Sequence, residues 1–227
     1  MNTNKRLALR NCSLFRNISD SDFDKIINIA LASYYDYDKG DIIIGHSSGT
    51  GRIGVVTKGR IMGIKYHYDG SSQIMKFYTK GDLIGLNAAA SQRSSGADTF
   101  EADSDCSVVF LWYRNIVDSN YLSSDCKLTV LKNVAKILAD ENIGATHAID
   151  ILSHYTIRDR ILAFLSIRKE SHTTDTFDIA MNQVQLAQYL HVNRSVLSKE
   201  LNIMKKEGII DFKGSIYTIK KNRNSAE

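Results

Sequence analysis

Short polar and basic side chains recur at helical spacing in the last quarter of the sequence, and they are its residues best suited to chemistry. Apolar residues every three or four positions predict an amphipathic helix over residues 194–206. On its other face, Arg and Lys can donate to guanine O6 and N7 in a major groove, and Ser and Asn suit phosphate oxygens or base edges. A solvated polar face on an ordinary surface helix is the alternative interpretation. The side chains predicted to contact DNA are Asn193, Arg194, Ser195, Ser198, Lys199, Asn202 and, in the hairpin that follows, Lys213.

The residues around this helix predict the elements that would hold it. Asn182-x-x-Gln185 matches a capping box and predicts a short helix through Leu190. After a break at His191, Asn193 can cap the second helix. Two helices joined by so short a turn form a helix-turn-helix. The second helix is expected to pack inward through Val196, Leu197, Leu201 and Met204, and to carry Lys205 on its outer face.

A hairpin and an uneven charge distribution favour DNA over a merely solvated face. Residues 209–219 read as two strands that turn at Lys213-Gly214, a wing beside the helix-turn-helix. Residues 154–227 carry 12 Lys and Arg against 8 Asp and Glu, an excess of four that equals the +4 net charge of the whole chain. Residues 1–153 are therefore neutral overall. A basic last third is typical of a domain with an acidic partner such as nucleic acid.

The first half of the chain is predicted to be mostly β-structure. A helix is expected over about residues 19–35, because apolar residues there recur at helical spacing. From about 36 to 113, short β-rich runs alternate with glycine turns at about 10-residue spacing, and Asp69-Gly70 is a strong hairpin signal. This pattern predicts an antiparallel sandwich, barrel or roll.

A long helix is predicted over residues 123–153, with an apolar stripe of coiled-coil spacing that indicates a homodimer. The alternative is that the stripe packs on the chain's own β-domain. A new helix begins at the capping pattern Thr156-x-x-Asp159, so the domains are predicted as 1–122, 123–153 and 154–227. The stripe consists of Leu128, Leu131, Ala135, Leu138, Asn142, Ala145, Ile149 and Leu152.

Composition excludes several classes of protein. Hydrophobic residues make up 43% of the chain and charged residues 24%, an ordinary globular balance. No run approaches the ~18 apolar residues of a membrane-spanning helix, and no secretory signal is visible. Three scattered cysteines favour a reduced, cytoplasmic protein. The six histidines show no metal-ligand spacing, and no catalytic triad or phosphate-binding loop appears, so we expect no metal site, no catalytic residues and no enzymatic activity.

The order of β-roll, long helix and winged helix resembles the CRP/FNR family of bacterial transcription regulators, over nearly the whole chain. The resemblance implies an α+β fold: an N-terminal antiparallel β-roll like a cyclic-nucleotide-binding domain, a long dimerisation helix and a C-terminal winged helix-turn-helix. It also implies a homodimer that binds an inverted-repeat operator in double-stranded DNA, with RNA polymerase as a candidate further partner and no membrane partner. The matching motifs are Lys80-Gly81-Asp82-Leu83-Ile84-Gly85, Arg160-Ile161-Leu162-Ala163, Gln185-Leu186-Ala187-Gln188-Tyr189-Leu190, and Asn193 to Lys199 with Leu201, Glu207-Gly208 and Ile209-Ile210.

The second helix of the helix-turn-helix, residues 194–206, departs from the family pattern at two positions. Ser195 stands where the family usually has Glu, and Lys199 replaces a second Arg. Glu accepts from cytosine N4, whereas Ser makes a less specific contact. The operator is therefore expected to differ from the family's best-known sequences.

The effector site departs further. Cyclic-nucleotide members of the family bind the ribose with a Glu and the phosphate with an Arg-Ser pair. In this sequence the Glu position holds Leu86, and the Arg-Ser positions hold Gly96-Ala97. Arg93 could take the place of the missing Arg only if the loop were shifted by three residues. A phosphate without its Arg loses a charge-assisted partner, so we expect an unidentified small effector rather than cyclic AMP, and no cofactor. An iron–sulfur cluster is not expected either, since it needs four thiolates. The candidate pocket residues are Leu86, Asn87, Gly96, Ala97 and, by resemblance on the long helix, Thr146.

Two other functions stay open at this point. A cupin-like metal-dependent enzyme would use a β-roll, but needs paired histidines, and His46 and His67 are single and 21 positions apart. The second helix and its wing could instead form a protein-binding module. DNA affinity that falls steeply with salt would count against that module.

Overall fold

The computed structural model describes residues 3–44, 51–91 and 99–220. The chain divides into two compact units, Met1–Asn142 and Ile143–Glu227. One helix of 30 residues, α5, runs from Ser124 to Ser153 and so contributes to both.

The first unit begins with two helices, α1 (Thr3–Arg10) and α2 (Asp20–Ile29). Ser19 caps α2, because its hydroxyl accepts from the N–H of Asp22 at 3.1 Å. The prediction of one helix over 19–35 is wrong beyond residue 29. Leu31 adopts a left-handed φ of 49°, and the chain continues as a strand that pairs with residues roughly 70 positions later, from Ser33 with Phe110 to Tyr37 with Cys106. This pairing cannot be read from local spacing.

The elements that follow in the first unit are β1 Ser33–Tyr37, β2 Ile42–Ile44, β3 Arg52–Lys58, β4 Ile61–Tyr66, β5 Ser72–Tyr78, β6 Leu83–Ile84, α3 Leu86–Ser91, β7 Thr99–Ala102, β8 Cys106–Trp112 and α4 Tyr113–Val117. Among the described residues, these eight strands form two four-stranded sheets, with orders β1-β8-β3-β6 and β2-β7-β4-β5 and every pairing antiparallel. The expected α+β architecture with an antiparallel β-roll is confirmed. The hairpin predicted at Asp69-Gly70 joins β4 to β5.

The core of the first unit lies on both faces of the first sheet. Alternate residues of a strand point to opposite faces. Along β8, Val108 and Phe110 pack with residues of the second sheet, while Val109 and Leu111 pack with the helices. Both faces are covered, which is why β8 reads as a continuous apolar run rather than an alternating one.

Helix α5 uses one face for this core and leaves another exposed. Cys126, Val130 and Val134 are buried in the cluster that also contains the N-terminal helices. The predicted stripe lies on a different face: Leu128 is 50% exposed and Leu131 45%. Leu138 is an exception, since it packs partly against the core.

The second unit holds the predicted helix-turn-helix and wing. Its elements are α6 Ile157–Glu170, β9 Thr176–Asp178, α7 Gln183–Tyr189, α8 Arg194–Lys206, β10 Ile210–Lys213 and β11 Ile216–Ile219. The hairpin over β10 and β11 turns at Lys213-Gly214 as expected, and Gly214 takes the left-handed φ of 63° that the turn requires. Strand β9, which the sequence did not predict, pairs with β11.

Among the helices of the described residues, none has the length and apolar character that a membrane span needs.

Candidate nucleic-acid interface

Both helices of the helix-turn-helix begin at the caps expected from the sequence. In α7, the N–H of Gln185 donates to Asn182 Oδ1 at 3.0 Å, and the N–H of Asn182 donates to Gln185 Oε1 at 3.1 Å. In α8, the N–H and the hydroxyl of Ser195 both donate to Asn193 Oδ1, at 2.9 and 2.8 Å. Between them, His191 takes a left-handed φ of 52° and turns the chain. Asn193 and Ser195 are therefore joined to each other at the start of α8.

The buried face of α8 is made by three fully enclosed side chains, Leu197, Leu201 and Met204, each 0% exposed. Val196 was expected to pack with them and does not, since it is 45% exposed. Successive residues of an α-helix are rotated by about 100°, which carries Val196 away from the direction of Leu197. The inward prediction for Val196 is wrong for this reason.

The opposite face of α8 presents the predicted polar residues. Arg194, Ser195, Lys199 and Asn202 are exposed, and Ser198 is half-buried. The amide of Asn202 donates to the carbonyl of Ser198 at 2.8 Å, so this side chain lies along its own helix. The outward pattern therefore agrees with the expected face.

Four positively charged side chains of this surface have no ion pair among the described residues. Among the residues that the structure describes, Arg194 and Lys199 have no ion pair or side-chain hydrogen bond. The same holds for Lys213 beside the wing turn and for Lys206 on the last turn of α8, a residue that sequence reasoning missed. Its position three and four residues after Ile203 and Asn202 places it on the outer side of the helix. These four positive charges are available to an anionic partner.

Two other cations, Lys205 and Arg158, form ion pairs within the protein and connect neighbouring elements of the second unit. Lys205 Nζ lies 2.6 Å from Asp211 Oδ1 and 3.1 Å from the carbonyl oxygen of Phe212, so it joins α8 to the wing. The hydrogen bond from Lys205 holds the pKa of Asp211 below its usual value. Although Lys205 was expected on the DNA-facing side, its charge is balanced within the protein.

Arg158 holds the other side of α8. Its Nε lies 2.6 Å from Glu200 Oε1 and its Nη1 2.8 Å from Glu207 Oε2, which connects α6 with the recognition helix and its C-cap. These hydrogen bonds raise the pKa of Arg158. Arg160 donates from Nε to the carbonyl of His154 at 2.9 Å, across the start of α6. Arg158 and Arg160 therefore position neighbouring elements of the second unit.

Of the residues predicted to line an effector pocket, Leu86, Asn87 and Thr146 lie within the described residues. Leu86 is 2% exposed and belongs to the core of the first unit, so it offers no polar group to a ribose. The amide of Asn87 donates to Glu141 Oε2 on α5 at 3.0 Å, and Lys76 Nζ lies 3.5 Å from Glu141 Oε1. Thr146 is exposed and belongs to the second unit. Gly96, Ala97 and Arg93 lie outside the described residues.

Glu141 is the residue of this region that the sequence did not reveal. Both oxygens of its carboxylate are engaged by the β-roll, and its side chain is only 16% exposed. Its partners lie 54 and 65 positions away in the chain. No local pattern could have found it.

The cysteines have the environment of buried apolar residues. Cys12, Cys106 and Cys126 are 1%, 3% and 5% exposed, and desolvation raises the pKa of Cys12 and of Cys106 to about 11. Over the described ranges, no three His, Cys, Asp or Glu side chains are grouped to hold a metal ion.

Comparison with known proteins agrees with this two-part architecture. A model of the cyclic nucleotide-binding domain matches residues 35–117, and a model of the Crp-like helix-turn-helix domain matches residues 159–223. The chain is 23% identical to electron transport regulator A of Shewanella oneidensis over 80% of its length and 72% of the relative. It is 21% identical to the fumarate and nitrate reduction regulatory protein of Yersinia pestis, over 92% of this chain and 83% of that protein. The structure of FixK2 from Bradyrhizobium japonicum aligns with a TM-score of 0.64 at 21% identity, and covers 84% of this chain and 93% of the other.

Proposed function

Because this chain belongs to the CRP/FNR family of bacterial transcription regulators, we propose that it binds an inverted-repeat operator in double-stranded DNA as a homodimer. Regulators of this family are generally not enzymes. The observation that carries the proposal is the outer face of α8, where Arg194 and Lys199 are exposed and carry no carboxylate partner among the described residues. A major groove admits an α-helix, and these long donors suit guanine edges.

The proposed interface consists of α8 and the wing. Arg194 and Lys199 read bases from the first half of α8, the part of a recognition helix that enters the groove. Ser198 is short enough for the helix backbone to approach the base edges. Lys213, at the wing turn, neutralises a phosphate. Lys206 is included in the interface for the same role, because it too is exposed and has no ion pair among the described residues. Asn193, Ser195 and Asn202 complete the contact set.

The homodimer is proposed through α5. The stripe that includes Leu128 and Leu131 repeats at coiled-coil spacing and is about half exposed in the single chain. A second copy would bury it. Recognition helices related by a two-fold axis read half-sites about 34 Å apart. RNA polymerase is a further proposed partner. The proposed location is the cytoplasm, because the DNA lies there.

The first unit is proposed to carry the regulatory input, with residues 1–122 as sensor, 123–153 as dimerisation helix and 154–227 as DNA-binding domain. The pair of Asn87 and Glu141 connects the β-roll directly to α5. A small effector that binds the β-roll near this pair would change how the roll holds the helix. A cyclic nucleotide is not favoured as this effector, because Leu86 is buried and has no polar group to offer a ribose.

Selection of random DNA fragments by the purified full chain, without added ligand and at moderate salt, tests the proposal. We expect an enriched inverted repeat with half-sites about one helical turn apart. Lys199→Ala should reduce the enrichment, and Lys80→Ala, which removes an equal charge from the first unit, should not. Absence of any enrichment, with and without a small-molecule extract of cells, would overturn the proposal. The cupin-like enzyme and the protein-binding module are not favoured, since the matching models and relatives are those of DNA-binding regulators.

A further inference from the structure

Helices α7 and α8 each leave one valine open to solvent. Among the described residues of these two helices, the exposed large apolar side chains are Val184, at 43%, and Val196, at 45%. Folding does not require Val196, because its neighbour Leu197 makes the buried face at 0% exposure and Val is a weaker helix former than Ala. The isopropyl group of Val196 is therefore available for a contact outside the chain.

Val196 lies among the side chains that are proposed to bind DNA. It is the third residue of α8 and so belongs to the first turn, the part of a recognition helix that contacts base edges. Lys199 follows three positions later and is its neighbour along the helix surface. Arg194 and Lys199 are exposed and have no ion pair among the described residues, so the DNA that they attract is brought close to Val196.

We propose that Val196 contacts the C5 methyl group of a thymine in the major groove and so specifies a T·A base pair in each half-site of the operator. This inference rests on the proposed function and adds to it a residue that determines specificity. The methyl group is the apolar feature by which thymine differs from the other bases in the major groove. The other residues proposed to face the DNA donate or accept hydrogen bonds, so Val196 supplies an apolar contact that they lack.

The shape of the valine side chain suits this role. Valine is branched at Cβ, and in a helix it occupies one strongly preferred χ1 rotamer. Its two methyl groups are therefore held in place before DNA binds, and little side-chain freedom is lost on binding. Removal of one methyl group from water changes a dissociation constant by about fourfold. A contact with a thymine methyl group is thus large enough to measure one base at a time.

Deoxyuridine scanning of the operator tests the contact. The probe is a duplex that carries the selected inverted repeat, with one thymine position of each half-site replaced by deoxyuridine, which pairs as thymine does and lacks only the methyl group. At one such position the full-length wild-type protein should lose about fourfold in affinity per half-site, measured by fluorescence anisotropy.

Truncation of Val196 should remove the sensitivity at that position. Val196→Ala is expected to bind the thymine and deoxyuridine duplexes with nearly equal affinity, because both methyl groups of the valine are gone. The variant should fold, since the site is exposed and Ala is a strong helix former. The matched control is Val184→Ala, which removes the same groups from a similarly exposed valine of α7 and should keep the full loss on deoxyuridine.

The outcomes separate this inference from the proposed function. Failure to select any repeat would contradict the proposed function, and the inference with it. A selected repeat in which no deoxyuridine substitution lowers the affinity of the wild-type protein would overturn the role of Val196 alone. A loss that persists undiminished in Val196→Ala would do the same, since another residue would then contact the methyl group.

Discussion

The guanidinium Nε of Arg158 lies 2.6 Å from the carboxylate of Glu200, and this contact joins helix α6 to the flank of the recognition helix. A cation already engaged with carboxylates inside the protein contributes little to phosphate binding. We predict that Arg158→Met weakens DNA binding a few-fold through misplacement of α8, while the dependence of affinity on salt stays unchanged.

The partner supplies the control for Arg158. Glu200→Gln should weaken DNA binding by a similar factor. The loss of binding free energy in the double variant should not exceed the sum of the losses in the two single variants. Fluorescence anisotropy titrations at several salt concentrations measure both quantities. A salt slope that falls by about one for Arg158→Met would show instead that this arginine contacts a phosphate.

Lys199 and Arg194 should behave as base readers. Replacement of either by Ala should cost roughly 1–3 kcal/mol of binding to the selected operator and relax specificity at one base pair. Competition titrations on operator and random DNA measure the difference. If an Ala variant lost the same affinity on both DNAs, the residue would be a phosphate contact. Lys80→Ala controls for the loss of one positive charge.

Adjacent residues of α8 should respond in opposite ways to truncation. Leu197→Ala should destabilise the second unit by about 2–5 kcal/mol, because the side chain is 0% exposed and leaves a cavity. Val196→Ala should change stability by no more than about 0.5 kcal/mol, because that side chain is 45% exposed. Urea unfolding followed by circular dichroism compares the two. Equal destabilisation would mean that Val196 is buried after all.

The cysteines should be unreactive in the folded chain. Burial raises the pKa of Cys12 and Cys106 from 9.0 to about 11, so the reactive thiolate is scarce at pH 8. We predict that Ellman's reagent modifies the native protein slowly and all three thiols rapidly in guanidinium. Because the folded-state pKa is the higher one, stability should also fall as the pH rises from about 9 towards 11. One rapidly reacting thiol in the native protein would contradict this assignment.

Cyclic AMP should not control this regulator. Leu86, which by resemblance stands where cyclic-nucleotide-binding members of the family carry a ribose-binding Glu, is 2% exposed and packs in the core. Titration calorimetry should therefore give no binding heat at submillimolar cyclic AMP, and operator affinity should not change when the nucleotide is added. A cyclic-AMP-dependent rise in operator affinity would refute this prediction.

Local signals were sufficient to predict the start of each helix in the helix-turn-helix. The caps Asn182 and Asn193 bond to groups two or three residues ahead, so neither depends on the rest of the fold. The turn at Lys213-Gly214 and the amphipathic pattern of α8 are equally local. The sequence by itself therefore determined where the recognition helix begins, what polar groups it carries and that a wing follows it.

Only the tertiary structure decided how those elements are held and which surfaces remain open. Strand β9 pairs Phe177 with Tyr217, 40 positions later, and Asn87 meets Glu141 across 54 positions. The exposure of the α5 stripe likewise depends on what packs against that helix. A residue's spacing fixes the face of the helix on which it lies, but the partner of that face comes from distant parts of the chain.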